Sequence, residues 1–381
     1  MKDPCLTDSI SSIPEEYLAN SSLELCATAG MRVMQLADPG VAKMILTSLE
    51  EALRSLGGGV MAPPRVRILS GLEEALSGWV TAIRLSGGEV GALDWGGASA
   101  QITFPSNESR NIDHYIQRLQ VAGDNYTVHS QSNLCYGQAE ARNRHRAALV
   151  YHWIEAQNPD VRRNLTRVSF GLILRDPCLP KGRVTPQLPL TEIFSSPCTQ
   201  VRDPTMKKIS ENMNLTVSFQ WDGPGYQDGY QECSRQVSQH FDPNECHQIW
   251  QSMKGEFKCL DPTSIPAPQA DLPYLAMSTY YYLTRGLNLT APFSLETFRR
   301  KTEEICSLSL DDLASQGMSE SACFQSVLMD KLLTLGYHFD SKSWGQIKFV
   351  KRIGGGEVGW GFGHALMRAN SLEMGGYQLM R

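Results

Sequence analysis

No run of about 18 consecutive apolar residues occurs in this 381-residue chain, so the sequence holds no candidate transmembrane helix. The opening residues, Met1-Lys2-Asp3-Pro4-Cys5, lead into no apolar segment of the kind a signal peptide needs. Close Cys-x-x-Cys pairs of the zinc or redox type are missing, and the eight histidines show no metal-ligand spacing. There is no Gly-x-Ser-x-Gly elbow, and the glycine-rich 354–363 stretch has neither a Gly-Lys-Ser/Thr nor a following βαβ unit. That excludes serine-hydrolase, P-loop and dinucleotide-binding readings. Basic charge is not in excess either. With 35 Lys and Arg against 40 Asp and Glu, the net charge of -5 argues against nucleic acid or an acidic membrane surface as partner.

What is present points elsewhere. Ten cysteines lie far apart, and six Asn-x-Ser/Thr sequons occur at Asn20, Asn107, Asn125, Asn164, Asn214 and Asn288. Dispersed cysteines in even number suit disulfides in an oxidising compartment better than metal binding. Together these features imply a glycoprotein of the secretory pathway, cell surface or exterior, whose targeting segments are missing from the chain. The length suggests two domains or lobes, and 41% hydrophobic residues with 20% charged is ordinary for a globular protein.

Hydrophobic periodicity predicts a helix over residues 41–56, from Ile45, Leu46, Leu49 and Leu53, ended by glycines at 57–59. A strand at 66–69 precedes a turn into a helix running through Trp79 to Leu85. Residues 90–94 and 100–104 read as a β-hairpin with small residues at its tip. Helices follow at 138–157 and 272–287, with a strand at 168–174 and a helix pair flanking Cys306 and Cys323. The Pro- and Ser-rich stretch 176–216 reads as loop. A strand at 347–353, a glycine turn and a helix near 360–369 close the chain. A strand-turn-strand hairpin feeding mixed elements suits an α/β architecture.

The hairpin tip, Asp94-Trp95-Gly96-Gly97-Ala98-Ser99, has the residue types of a phosphate site. Glycines let backbone N–H groups approach phosphate oxygens, and a carboxylate at a strand end can hold a hydrated cation. The plain alternative is a hairpin turn whose glycines only permit positive φ. Ala27-Thr28-Ala29-Gly30-Met31-Arg32 opens a helix and offers a second small-residue loop, although such loops are more often ordinary helix starts. Glu73 and Glu74 begin another helix. There they either complement its dipole or supply a general base. Tyr280-Tyr281-Tyr282 and Tyr337 offer rings for a base, though such aromatics more often belong to a core.

In their order along the chain these pieces resemble the ectonucleoside triphosphate diphosphohydrolases, the GDA1/apyrase family, of cell-surface type. Residues 27–32 look like the family's second conserved region, 71–79 the third, 92–104 the fourth and 359–366 the fifth. Connecting runs such as Asn133-Leu134-Cys135-Tyr136-Gly137 and Ser196-Pro197-Cys198-Thr199 are similar too. The resemblance implies an actin-like (ribonuclease H-like) two-lobed nucleotide phosphatase fold with its first lobe incomplete. Residues 1–69 would be the remainder of lobe I, 70–352 lobe II, and 353–381 a segment returning to lobe I. It also implies Ca²⁺- or Mg²⁺-dependent hydrolysis of nucleoside tri- and diphosphates to monophosphate and inorganic phosphate. Carried over by position, Glu74 is the base, Ser99 and Gln101 orient the attacking water, and Asp94 belongs to the metal's water shell. Gly96, Gly97, Ala98 and Ser99, with Thr28 and Arg32, would hold phosphate. Tyr282 and Tyr337 would stack the nucleobase, and Cys306 and Cys323 would pair.

The sequence departs from the family pattern at several places. The family's first phosphate loop, Asp-x-Gly-Ser-Ser/Thr, is absent upstream of Ala27. Cys26 stands for a glycine, Ala75-Leu76-Ser77 for Gly-x-aromatic, and Trp95 and Ala100 for Leu and Thr. The last residues diverge where cell-surface relatives carry a membrane anchor. A catalytically impaired nucleotide-binding glycoprotein is therefore the alternative to an active hydrolase.

Overall fold

A helix whose one face is apolar must bury that face, and the first unit of the chain is built on this need. In the computed structural model, which describes residues 4–56, 62–106, 115–158, 170–210, 217–223, 229–251 and 257–373, the chain divides into two compact units, Met1–Ser70 and Gly71–Arg381. The first holds α1 (Pro4–Ser11), α2 (Glu15–Leu18), β1 (Ser22–Ala27), α3 (Ala29–Ala37), α4 (Pro39–Leu56) and β2 (Ala62–Ile68). β1 and β2 pair in parallel, with Leu25 opposite Val66 and Ala27 opposite Ile68. Ala42 and Leu53 of α4 are buried, and Ile45, Leu46 and Leu49 are half-buried, as the 3.6-residue period requires. The glycines at 57–59 and the sequons at Asn107, Asn164 and Asn214 lie outside the described residues. Asn20, Asn125 and Asn288 are all exposed.

The second unit is organised by a six-stranded sheet in the order β11-β10-β3-β4-β6-β5. Its strands are β3 (Gly91–Trp95), β4 (Ser99–Pro105), β5 (Ile116–Val121), β6 (Asp124–Leu134), β10 (Tyr274–Ser278) and β11 (Ile347–Phe349). β11, β10 and β3 run parallel, while β3, β4, β6 and β5 are antiparallel neighbours, with β6 inserted between β4 and β5. A smaller sheet joins β7 (Phe170–Arg175), β8 (Leu188–Pro189) and β9 (Val217–Asp222), and β12 (Arg352–Ile353) with β13 (Gly356–Glu357) form a hairpin. The β12–β13 turn uses Gly354 and Gly355 at φ 56° and 87°, as a two-residue turn with two positive φ values demands.

Helix α5 (Gly71–Ser86) is buried from Glu74 through Ile83, ten residues without an exposed face. The sheet covers one side. The C-terminal helix α10 (Trp360–Glu373) covers another, so this segment packs along α5 in the second unit. Close approach explains the small residues. A Cβ on Gly363 would stand 1.9 Å from the Ser77 carbonyl oxygen, and Thr81 Oγ1 accepts a 2.8 Å bond from the Gly363 amide. Ser77 lies in the same tight seam, its hydroxyl 3.8 Å from the Met367 sulfur. Leu76, Trp79, Val80, Ile83, Leu275 and Met277 supply the core between helix and sheet, and Trp79 Nε1 donates to the Val90 carbonyl at 2.9 Å.

Further helices used below are α6 (Gln138–Glu155), α7 (Thr279–Gly286), α8 (Leu295–Ser307) and α9 (Ala322–Lys331). Two expectations are corrected. The helix read over 272–287 is the strand β10 followed by α7, because Tyr274 to Met277 is a short apolar run inserted between two parallel neighbours. The 176–216 stretch contains β8 and short helices at Leu190–Ile193, Pro197–Thr199 and Pro204–Ser210. Four disulfides, Cys135–Cys198, Cys178–Cys233, Cys246–Cys259 and the expected Cys306–Cys323, tie the second unit together.

Candidate active site

The β3–β4 hairpin sorts its side chains by strand alternation. One face carries Leu93, Trp95, Ala100 and Ile102, all buried, with Trp95 lying 5.3 Å from the Tyr280 ring. The other face is apolar at one end and polar at the other. Asp94 sits directly opposite Gln101, and Gln101 opposite Ser132 of β6. Ser99 shares this face, two residues from Gln101. A line of oxygen- and amide-bearing groups thus lies where β3 and β10 end, and the carboxyl ends of parallel strands are where α/β folds bind ligands.

Gln101 organises the line. Its amide nitrogen donates to Ser99 Oγ at 2.6 Å, to Ser132 Oγ at 2.9 Å and to Glu74 Oε2 at 3.4 Å. Glu74 stands in the first turn of α5, buried, with its carboxylate turned to the sheet. The structure therefore brings together Glu74, Ser99 and Gln101 within one hydrogen-bonded group. Ser132 joins it, a residue that sequence reasoning passed over because a serine inside a strand carries no local signal.

Asp94 is also buried. Burial pushes its carboxyl above the ordinary carboxylate value, an effect that the polar groups of Ser278 and the Trp95 backbone oppose. Among the described residues it forms no ion pair. A buried carboxylate surrounded by neutral donors is poorly compensated until a cation arrives. An all-oxygen set of this kind fits a hard ion such as Ca²⁺ or Mg²⁺.

The turn at Gly96-Gly97 is clamped rather than loose. Gly96 O accepts from Gln138 N at 2.9 Å, Gly97 O accepts from Ala139 N and Glu140 N at 2.8 and 3.1 Å, and Ala98 O accepts from Cys135 N at 2.7 Å. The start of α6 thus spends its open N–H groups on the turn. Neither Gly96 nor Gly97 has a positive φ, so turn conformation does not explain the two glycines. Nor does packing, since an added Cβ would meet nothing within 4 Å at Gly97 and only ordinary contact, 3.7 Å to the Ser99 carbonyl oxygen, at Gly96. Gly137 is needed for contact, because a Cβ there would lie 2.3 Å from the amide nitrogens of Ala98 and Ser99.

The remaining predicted residues are distributed differently. Thr28 and Arg32 belong to the first unit. Thr28 is the N-cap of α3, and buried Arg32 donates from Nη1 to the Leu69 carbonyl at 2.8 Å. Tyr282 is 56% exposed on α7, with the Lys351 ammonium 5.5 Å from its ring centre. Tyr337 is fully buried and its hydroxyl accepts from Asn133 Nδ2 at 3.3 Å, so its ring has no open face. The exposed ring suited to stacking is Tyr282.

Similarity to known proteins extends over nearly the whole chain. Residues 2–376 match the GDA1/CD39 (nucleoside phosphatase) family. The chain is 28% identical to ectonucleoside triphosphate diphosphohydrolase 3 of Mus musculus over 398 aligned positions, which cover 98% of this chain and 68% of that protein. Identity to ectonucleoside triphosphate diphosphohydrolase 1 of Bos taurus is 25%, covering 97% of this chain and 70% of the relative. The fold is that of the nucleoside triphosphate hydrolases from Neospora caninum, with TM-score 0.63, 18% identity, and coverage of 97% and 79% of the two chains. With a match running from residue 2 to residue 376, the chain belongs to the GDA1/CD39 nucleoside phosphatase family.

Proposed function

We propose that this protein hydrolyses nucleoside tri- and diphosphates to the monophosphate and inorganic phosphate, with a Ca²⁺ or Mg²⁺ ion held through water at Asp94. The observation that carries the reading is the hydrogen-bonded group of Glu74, Gln101, Ser99 and Ser132 beside the clamped glycine turn. Glu74 accepts a proton from an attacking water as general base. Gln101 and Ser99 orient that water, and Ser132 fixes the Gln101 amide so that it keeps its direction. Backbone N–H groups at Gly97 and Ala98 receive charge on the phosphate oxygens, since the carbonyls of the same turn are already engaged by α6 and Cys135. A bound divalent cation would supply charge neutralisation of the phosphate oxygens during in-line displacement. The exposed ring of Tyr282 stacks on the base.

Four disulfides and exposed sequons support an extracellular or lumenal setting. Among the described residues no helix is long and apolar enough to cross a membrane. The test is phosphate release from ATP, ADP, UTP and UDP by protein from a secretory host, with and without Ca²⁺ or Mg²⁺. Glu74→Gln should lower turnover by about 10²–10⁴ without changing the circular dichroism. Cation-independent release, or a mutant as active as the parent, would sink the reading. Nucleotide binding without turnover in the folded parent would make the protein a binding glycoprotein instead.

A further inference from the structure

A cavity of about 320 Å³ lies beside α7, within the range of about 300–1,000 Å³ typical of small-molecule sites. The exposed Tyr282 lines it, and buried Leu283 and Leu287 with half-buried Met318 make part of its wall apolar. Two neutral amides line it as well, Gln138 at the start of α6 and Gln325 in the first turn of α9. Gln138 ties this cavity to the glycine turn. Its backbone N–H donates to the Gly96 carbonyl at 2.9 Å, while its side chain belongs to the cavity wall. One residue thus serves both places, and turn and cavity are neighbours.

The two amides are bonded to each other, Gln325 Nε2 donating to Gln138 Oε1 at 2.7 Å. Among the described residues neither side chain makes a second hydrogen bond. A primary amide has two N–H donors and a carbonyl with two lone pairs, so most of the pair's hydrogen-bonding capacity stays open. Turning both amides end for end preserves the bond between them. In either arrangement one NH₂ and one C=O stand side by side. A nucleobase edge also sets a donor beside an acceptor, as in the bidentate pairing of glutamine with adenine N6 and N7. Gln325 is held firmly for such a task. Phe324 and Ser326 on either side of it are buried, and Cys323 is bonded to Cys306 of α8.

We infer that Gln138 and Gln325 are specificity-determining residues, an amide pair that reads the hydrogen-bonding edge of the base stacked on Tyr282. This rests on the proposed stacking at Tyr282. The ligand class is a nucleobase with a donor next to an acceptor, which takes in amino and oxo purines and the pyrimidines. Because the pair can turn end for end, it separates bases that have such an edge from bases that lack the donor, and does not separate adenine from uracil. Neither side chain reaches the reacting phosphate, so the effect is on nucleotide affinity.

The experiment measures dissociation constants by calorimetry in the full chain carrying Glu74→Gln, which stops turnover, with and without Gln138→Met or Gln325→Met added. The two ligands are ATP and purine riboside triphosphate, which lacks only the 6-amino group. Methionine keeps the length of glutamine and removes its polar atoms. Without the added changes, ATP should bind about three- to tenfold tighter than its analogue, the net worth of one neutral hydrogen bond. Each methionine variant should bring that ratio close to one, and the ratio of kcat/KM values in chains with Glu74 intact should move in step. Damage to the phosphate turn weakens both ligands alike and leaves the ratio unchanged. A ratio that survives in both variants would overturn the inference, because the amides would then only tie α6 to α9. A ratio of one before the methionines are added, or no nucleotide binding by the folded chain, would overturn it as well. If the binding ratio collapses as expected but the chain with Glu74 intact releases no phosphate, the hydrolase reading fails and the base-reading role stands.

Discussion

At the scale of single residues, the site is a set of side chains whose partners are other side chains, and each should report separately. Gln101 makes three of the contacts that define it, to Ser99, Ser132 and Glu74. Gln101→Leu keeps the volume and deletes all three. Turnover should fall by roughly 10²-fold, the cost of a small misplacement at a reacting centre, while the circular dichroism stays that of the parent. Equal turnover in parent and variant would remove Gln101 from the mechanism. Tyr282→Ala tests base recognition. Loss of one stacked ring, worth about 1–3 kcal/mol, should raise KM by roughly 5- to 150-fold with little change in kcat. An unchanged KM would place the base elsewhere.

Secondary-structure elements set the distances that those residues need. The start of α6 reaches the glycine turn only because residue 137 has no side chain, and α10 reaches α5 only because residue 363 has none. Gly137→Ala puts a methyl group against backbone nitrogens that cannot move without breaking the clamp. Overpacking of this kind costs about 1–3 kcal/mol or more. The variant should melt several degrees lower and lose phosphate release beyond what its folded fraction explains. Gly363→Ala should lower the melting temperature in the same way by parting α10 from α5. A Gly363→Ala protein that melts with the parent would mean that the two helices are not in close contact in solution.

In the second unit one group of buried titratable side chains lies beside Cys178 and Cys246. His145 Nε2 and Asp176 Oδ1 are 2.9 Å apart and both buried, and Asp176 also accepts from Cys178 N. Burial alone would raise the Asp176 pKa, but His145 and the other donors outweigh it and hold it below the ordinary carboxylate value. His240 is held well below its ordinary value, first by burial and then by Arg144, His145 and His152. The signs agree. In the unfolded chain His240 takes up a proton near pH 6.5, and in the folded one it does so only at lower pH. Asp176 likewise binds its proton more readily when unfolded. Stability is therefore full above about pH 6.5 and falls as pH drops, first through His240 and then through Asp176. Melting temperatures at pH 7.5, 6.5 and 5.5 should decline, and His240→Asn should flatten the upper part of that decline. A melting temperature that rises on acidification would contradict this account. Cys135 sits beside the clamped turn, so opening Cys135–Cys198 should cost about 2–5 kcal/mol and lower turnover together with stability, both readable after a Cys135→Ala/Cys198→Ala replacement.

Much of this was legible in the sequence wherever neighbours in the chain do the work. The hairpin of β3 and β4, the periodicity of α4, the glycine turn before α10 and the helix of Glu74 all follow from alternation, 3.6-residue spacing and turn chemistry within a short window. The residue types at Asp94, Gly96, Gly97 and Glu74, with the order of the conserved runs, pointed to phosphate chemistry and to the family. Tertiary structure decided what a window cannot hold. Tyr274 to Ser278 reads in sequence as part of a helix, and its place between β3 and β11 makes it a strand. The pairing of β4 with β6 likewise brings Ser132 to Gln101 across 31 residues of chain. Packing also buried Tyr337 and left Tyr282 exposed, which composition could not separate. Local periodicity is fixed by covalent geometry and therefore visible in sequence. The orientation of a buried carboxylate is set by whichever strand packs beside it, and that is a property of the fold.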